Sequence, residues 1–392
     1  MEEYIKEAES LLMHTYSRYQ IILDRGEGVY LYDTNGKKYL DFGAGIAVFA
    51  LGYGNREYND ALKAQLDKLI HTSNYFYNVP SVKAASKFTK ASGMDRVFFT
   101  NSGTEAIEGA IKLARKYYYK KHQRGDSQII AMNRSFHGRS MGALSVTGQP
   151  SYREAFEPLI GGVVFADLNS IEDIKAKIND RTCAILLEPV QAEGGVYPAG
   201  EEYLKELKKL CEERDILLIF DEIQCGMGRC GSMFVWQEYG VKPDILTSAK
   251  ALGCGVPVGA FGAVEKVCMA FEPGDHGTTY GGNPFTAAAV NAVFDQYEKL
   301  DLLNHVKEIS SYLELQLDEL AKSHNAIKER RGKGLLQGLE FEYPVKDIIL
   351  KAMDNNLILF SAGSNVLRFV PPLVITREHV DEMIEILKKV IS

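Results

Sequence analysis

The 392-residue sequence lacks several features that would settle its class at once. It carries no excess of positive charge: 45 Lys and Arg against 52 Asp and Glu leave a formal net charge of −7. No general attraction to nucleic acid or anionic lipid follows from that balance. No apolar run approaches the roughly 20 residues that a membrane span requires. The amino terminus, MEEYIKEAESLLMHTY, is acidic and helix-like, without a basic start, an apolar stretch or a cleavage site, so no secretory signal is expected. The six cysteines, at 183, 211, 225, 230, 254 and 268, form no CxxC pair and have no histidine at metal-ligand spacing, and no metal site is expected. Several lie in apolar or glycine-rich runs, where cysteine acts as a small buried hydrophobe. A cytoplasmic protein with reduced thiols is the expectation. The nucleotide fingerprints GxGxxG and GxxxxGK(S/T) are both absent. No internal repeat, low-complexity tract or Pro/Ser-rich linker interrupts the chain.

What is present fits a globular protein, with 46% apolar and 25% charged residues, and the length suits two domains better than one. After a short amino-terminal helix, Val29–Asp33 and Lys38–Phe42 flank Asn35-Gly36, a strong hairpin signal. Gly43 to Ala47 opens a loop, and Asn59 to Ile70 reads as an amphipathic helix with Leu62, Leu66 and Leu69 on one stripe. From Arg96 to about residue 250, strand and helix patterns alternate, which predicts an α/β fold with a mainly parallel sheet covered by helices on both faces. Beyond Thr278–Pro284 the character changes to a smaller α+β unit with helices near 287–297 and 305–323, strands near 335–341 and 366–370, and a last helix from Arg377. The expected division is an amino-terminal segment, 1–50, packing with the small domain, a large domain, 51–285, and a small domain, 286–392.

The organising stretch runs from Asp221 to Lys250. The apolar run Ile216–Phe220 ends in Asp221, and the run Asp244–Ala249 delivers Lys250, followed by Gly253-Cys254-Gly255. Short apolar runs read as strands buried on both faces of a parallel sheet, and ligands of such sheets bind at the carboxyl ends of the strands. An acid and an amine on neighbouring strand ends suit a pyridine-aldehyde cofactor. The amine bonds to the aldehyde and the acid keeps the ring nitrogen protonated. Either residue alone would more often be a surface group. Asn101-Ser102-Gly103-Thr104 turns a strand into a long helix, and offers free N–H groups, hydroxyls and the positive end of a helix dipole. That suits a phosphate, though an ordinary N-cap would look the same. In Phe136-His137-Gly138-Arg139 the aromatic side chain could stack on a flat ring, and the arginine could clamp a carboxylate or join a surface ion pair.

These words, DEIQCGMGR, TSAKALG, TNSGTEA and FHGR, together with LDFGAGIAV, EPVQAEGG, TYGGNP and a late LRFVPPL, resemble the class III pyridoxal-phosphate aminotransferases, in order and over nearly the whole chain. The resemblance implies the fold type I scaffold, a large domain with a seven-stranded-type, mainly parallel sheet and a smaller α+β domain. It implies pyridoxal 5'-phosphate as cofactor and a homodimer with shared active sites. Within the family the wording is most similar to enzymes that take N2-acetylornithine as amine donor and 2-oxoglutarate as acceptor, returning glutamate.

Carried over by position, the resemblance makes Lys250 the lysine that bonds to the cofactor and shuttles the proton, and Asp221 the partner of the ring nitrogen. Gln224 would reach the phenolic oxygen, Phe136 and Ile223 would cover the two ring faces, and His137 would join the cofactor site. Ser102, Gly103 and Thr104 would hold the phosphate, with Thr279 reaching the phosphate of the neighbouring subunit. On the substrate side Arg368 resembles the arginine that binds the glutamate α-carboxylate. Arg139 would take the other glutamate carboxylate or the α-carboxylate of acetylornithine. Glu193 would neutralise Arg368 when acetylornithine is bound, and Thr278 belongs with these residues. Phe49 and Tyr53 depart from the usual Asn and His, Cys225 and Cys230 stand where Thr is common, and Cys254 where Gly is usual. The competing readings are ornithine, succinylornithine or 4-aminobutyrate as donor, an aminomutase, and a non-catalytic cofactor-binding regulator.

Overall fold

The computed structural model describes residues 2–391. Its centre is a seven-stranded sheet made of β1 (Arg96–Thr100), β2 (Gln128–Met132), β3 (Val163–Ala166), β4 (Thr182–Leu187), β5 (Leu217–Asp221), β6 (Ile245–Ser248) and β7 (Gly259–Ala263). The spatial order is β1-β7-β6-β5-β4-β2-β3. Strands β6, β5, β4, β2 and β3 run parallel, and β7 lies antiparallel between β6 and β1. The mainly parallel sheet is therefore as expected, with one reversed strand that the alternation did not reveal.

Side-chain alternation explains how β5 is covered on both faces. Leu217 and Ile219 pack with Ile107, Ala110 and Ala114 of the helix α1 (Gly103–His122). Leu218 and Phe220 point the other way, to Leu204, Leu207 and Cys211 of the helix Glu201–Arg214. All five residues of β5 are buried; full burial of a side chain such as Phe220 contributes about 1.5–3 kcal/mol. The polar end of each parallel strand is thus forced to the carboxyl edge of the sheet, where Asp221 leaves β5 and Lys250 follows β6 two residues after its end.

The expected hairpin is present as Tyr30–Asp33 and Lys38–Asp41, preceded by a third strand, Leu23–Glu27. Lys38–Asp41 also pairs in parallel with Leu357–Ile358, so the first and last parts of the chain share a sheet. A second antiparallel sheet joins Ile327–Lys333, Leu336–Phe341, Val366–Phe369 and Phe360–Ala362, and Arg368 sits in the third of these. The segment read as a loop at 43–47 is a left-handed turn with φ of 46°, 60°, 65° and 61° at Ala44, Gly45, Ile46 and Ala47. The Asp41 carboxylate holds it by accepting from the N–H of Gly43 and of Ala44. The helix expected over 59–70 is shifted to Arg56–Leu66, because the Asn55 side chain caps it by accepting from Tyr58 N. Leu66 and Leu69 of the apolar stripe are exposed. Among the described residues no helix is long and apolar enough to cross a membrane.

Candidate active site

At the carboxyl edge of the sheet the chain encloses a cavity of about 470 Å³. Its floor is Asp221, nearly inaccessible to solvent at the end of β5. The strand register sets Asp221 opposite Thr247 of β6, whose hydroxyl donates to Oδ1 at 3.0 Å. The backbone N–H of Ile223 donates to the same oxygen at 3.0 Å, and His137 Nδ1 lies 2.7 Å from Oδ2. These three contacts fix the carboxylate in place. His137 Nε2 is buried with no hydrogen-bond partner among the described residues.

Lys250 borders the same cavity. Burial pushes its amine down to about 8; Glu193, Asp221 and Glu188 favour the charged form and Arg368 opposes it. Its φ is 50°, a left-handed value that side chains avoid and that costs on the order of 1–3 kcal/mol. The turn after β6 is thereby bent so that the side chain enters the cavity.

A third wall is the start of α1. Ser102 caps the helix, its hydroxyl accepting from Glu105 N, and Gly103 and Thr104 follow as the first helical residues. A side chain at Gly103 would bring Cβ within 2.9 Å of Ile223 Cδ1, so glycine leaves the N–H groups open to the cavity. Thr104 Oγ1 lies 2.7 Å from Ser140 Oγ, which donates in turn to Glu108. Phe136, His137, Arg139, Ile223 and Gln224 line the same cavity.

Arg368 and Glu193 stand beside this cavity. Arg368 Nη1 donates to Glu193 Oε1 at 2.6 Å and to Gln224 Oε1 at 3.0 Å, and Gln224 Nε2 donates to Glu193 Oε1 at 3.2 Å. The arginine side chain is 3% exposed and the glutamate 22%. Burial pushes the Glu193 carboxyl up, but Arg368, Lys250 and the hydrogen bonds outweigh it and hold the group below the usual carboxylate range. Glu193 is therefore half of a partly buried ion pair rather than a solvated loop acid. Gln224 has both ends of its amide committed to that pair.

Thr278 reaches the site indirectly: its hydroxyl accepts from Asn101 Nδ2 at 3.3 Å and from Gly281 N at 3.1 Å. Thr279 lies elsewhere, in a separate hollow with His71, Ser73 and Asn74. Sequence reasoning did not single out Thr247, nor Glu188. The latter is buried at the end of β4 and accepts from the N–H groups of Phe136 and Ala192, and burial raises its pKa. Its place as the first residue of EPVQAEGG was the available signal.

Together these walls present a helix terminus with free N–H groups, a lysine and a fixed carboxylate around one cavity. Such a donor set suits a flat heterocycle with a phosphate, an aldehyde and a cationic ring nitrogen. The Aminotransferase class-III family model matches residues 12–391. The chain belongs to that family. Its members depend on pyridoxal 5'-phosphate, and the enzyme is a transaminase. It is 48% identical to an acetylornithine aminotransferase of Clostridium acetobutylicum over 98% of this chain and 100% of that one. It is 45% identical to an acetylornithine aminotransferase of Methanocaldococcus jannaschii, over 100% of this chain and 98% of the other. Among solved structures, an ornithine aminotransferase from Toxoplasma gondii superposes with a TM-score of 0.95 at 30% identity, covering 100% of this chain and 94% of that one. An N-acetylornithine aminotransferase from Stenotrophomonas maltophilia gives 0.85 at 35% identity, covering 99% and 98%.

Proposed function

We propose that this class-III aminotransferase moves the terminal amine of N2-acetylornithine to 2-oxoglutarate, giving N-acetylglutamate 5-semialdehyde and glutamate, a step of arginine biosynthesis. The observation that carries the reading is the Arg368–Glu193 pair of 2.6 Å, with Gln224 across it, beside Lys250. A ping-pong enzyme must take two amine donors at one place. Acetylornithine enters by its terminal amine and brings no carboxylate to Arg368, so an unpaired buried guanidinium would be costly without Glu193. Glutamate brings a carboxylate there, and Glu193 moves aside for it. The extent of identity to acetylornithine aminotransferases supports the same choice of donor.

Bound in the cavity, pyridoxal phosphate supplies an electron sink for the carbon that bears the amine. The protein supplies the rest. Ser102, Gly103 and Thr104 hold the phosphate at the start of α1. Asp221, held by Thr247, His137 and Ile223 N, would pair with the ring nitrogen. Phe136 and Ile223 would cover the ring faces, and Gln224 would serve the phenolic oxygen when the Arg368–Glu193 pair opens. Lys250 would release the cofactor's aldehyde carbon to the incoming amine, and its Nζ would then carry the proton from the amine-bearing carbon to that cofactor carbon. Its lowered basicity leaves a neutral fraction near pH 8 for that task. Arg139 would anchor the substrate carboxylate farther from the reacting carbon, and Thr278 would act through Asn101 at the start of α1.

The same reading makes the active unit a cytoplasmic homodimer, supported by the exposed run Tyr75, Phe76 and Tyr77 and by Thr279 standing outside its own chain's cavity. It keeps the division at 1–50, 51–285 and 286–392, supported by the pairing of Leu357–Ile358 with Lys38–Asp41. The test is a single-turnover comparison of acetylornithine, succinylornithine, ornithine and 4-aminobutyrate, read in the visible absorbance of the lysine-bound cofactor. Acetylornithine is expected to be fastest, with steady turnover only when 2-oxoglutarate is added. Faster reaction of ornithine or 4-aminobutyrate would move the assignment to another donor. Turnover without any oxo acid would move it to an aminomutase.

A further inference from the structure

The two arginines beside the cavity are treated differently by the fold. Arg368 is buried against a carboxylate. Arg139 is exposed at the cavity wall and has no carboxylate at ion-pair distance among the described residues. Its guanidinium lies instead over the ring of Tyr152, 4.1 Å from the centroid, with Phe136 farther off at 5.6 Å. Phe136 and Tyr152 meet edge to face, with centroids 5.9 Å apart.

The segment bearing Tyr152 is fastened to the segment bearing Arg139. Gly148 N donates to Ser135 Oγ at 2.9 Å, Arg134 N donates to Gly148 O at 2.9 Å, and the Gln149 side chain donates to Ser135 O at 3.3 Å. A Cβ at Gly148 would lie 1.9 Å from Met132 O, so only glycine permits this approach. Tyr152 N closes the turn onto Gln149 O, and the next residue, Arg153, stacks on Phe165 at 4.2 Å. The Tyr152 hydroxyl has no hydrogen-bond partner among the described residues. What the fold holds in place is the ring.

We propose that Tyr152 is a positioning residue for Arg139, an aromatic platform that fixes the guanidinium by its face and leaves its N–H edge unpaired for a substrate carboxylate. A carboxylate in this role would compete with the substrate; a ring face attracts the cation without using its donors. The arrangement suits a carboxylate common to both half-reactions, because nothing must be displaced before it binds. Arg368, by contrast, must be released from Glu193. This rests on the reading of Arg139 as a carboxylate anchor.

The test uses the holoenzyme, with glutarate binding measured by calorimetry and steady-state constants for acetylornithine and 2-oxoglutarate. Tyr152→Phe is expected to match the parent. Tyr152→Leu is expected to weaken glutarate and raise both KM values about tenfold, with kcat held within about twofold. In an Arg139→Ala background Tyr152→Leu should add almost nothing, since the ring acts only through the guanidinium. Additive losses, a defect in Tyr152→Phe equal to that in Tyr152→Leu, or a loss confined to kcat or to cofactor content would overturn the proposal while leaving the anchor intact. Undiminished glutarate binding by Arg139→Ala would instead remove the anchor, and the proposal with it.

Discussion

Lys250 meets the cavity as an amine that burial makes less basic, from a pKa of 10.5 for an ordinary lysine down to about 8. Between those values the unfolded chain binds more protons than the native one, so this residue makes apoprotein stability rise with pH from about 8 to about 10.5. Below pH 8 the native apoprotein must hold an ammonium in a poorly solvated place, a penalty of about 3 kcal/mol as an upper bound. Cofactor-free Lys250→Met should therefore be the more stable protein at pH 7.5, with the gap closing towards pH 10.5. Denaturant midpoints for the two proteins across that range check it; a gap that does not change with pH would contradict the buried-amine reading. Loss of transamination and of the visible absorbance band in the same variant is the simpler companion result. Arg368 and Glu193 call for a comparison of half-reactions. Arg368→Ala should raise the KM for 2-oxoglutarate roughly 30-fold, the equivalent of about 2 kcal/mol, and alter the acetylornithine half-reaction much less. Glu193→Gln should reverse that order. Equal losses in the two half-reactions, measured by single-turnover absorbance, would speak against an arginine that changes partners.

At the scale of elements, the start of α1 carries two duties. Ser102 accepts from Glu105 N while the Glu105 carboxylate accepts from Asn101 N at 2.7 Å, a reciprocal cap. The remaining N–H groups are those proposed for the phosphate. Ser102→Ala should cost about 1 kcal/mol of stability and also weaken cofactor retention. Thermal melts and cofactor loss on dilution separate the two; unchanged retention with a lowered Tm would leave only the structural cap. This element was legible because a short strand centred on Val97, Phe98 and Phe99, a capping word and a long amphipathic pattern succeed one another. The ends of β5 and β6 were legible for a similar reason, since buried apolar runs stop at a charge. Strand β7 was not. Its sequence, Gly-Ala-Phe-Gly-Ala, has little strand preference. Its small residues answer to close neighbours: a Cβ at Gly259 would lie 2.2 Å from Ser102 O, and Gly109 of α1 leaves room for the Phe261 ring. Contacts set by register or by distant loops, such as Thr247 on Asp221 or Tyr152 under Arg139, were likewise invisible, because sequence spacing does not encode which strands lie side by side.

For the whole molecule, the apolar side chains that remain exposed are the informative ones. The helix Arg56–Leu66 and the turns after it expose Leu66, Leu69 and Ile70, and beyond them Tyr75 and Tyr77 are 95% and 100% exposed. Tyr280, next to Thr279, is exposed as well, and Asn74 ties the two regions by donating to the carbonyls of Thr278 and Gly281, at 3.1 Å each. Exposed apolar surface is what the proposed dimer would cover, and a two-fold interface would bring the same patch of each copy together. In the proposed dimer Thr279 then serves the partner's phosphate, so assembly and cofactor retention are one property. Tyr77→Asp should shift the protein from twice the mass of one chain towards a single chain in sedimentation velocity, and the monomer should lose cofactor on dilution. Thr279→Ala should weaken retention while leaving the dimer intact. A Tyr77→Asp protein that sediments as one chain yet holds its cofactor as tightly as the parent would break the link between the two, and would leave Ser102, Gly103 and Thr104 as the whole of the phosphate site.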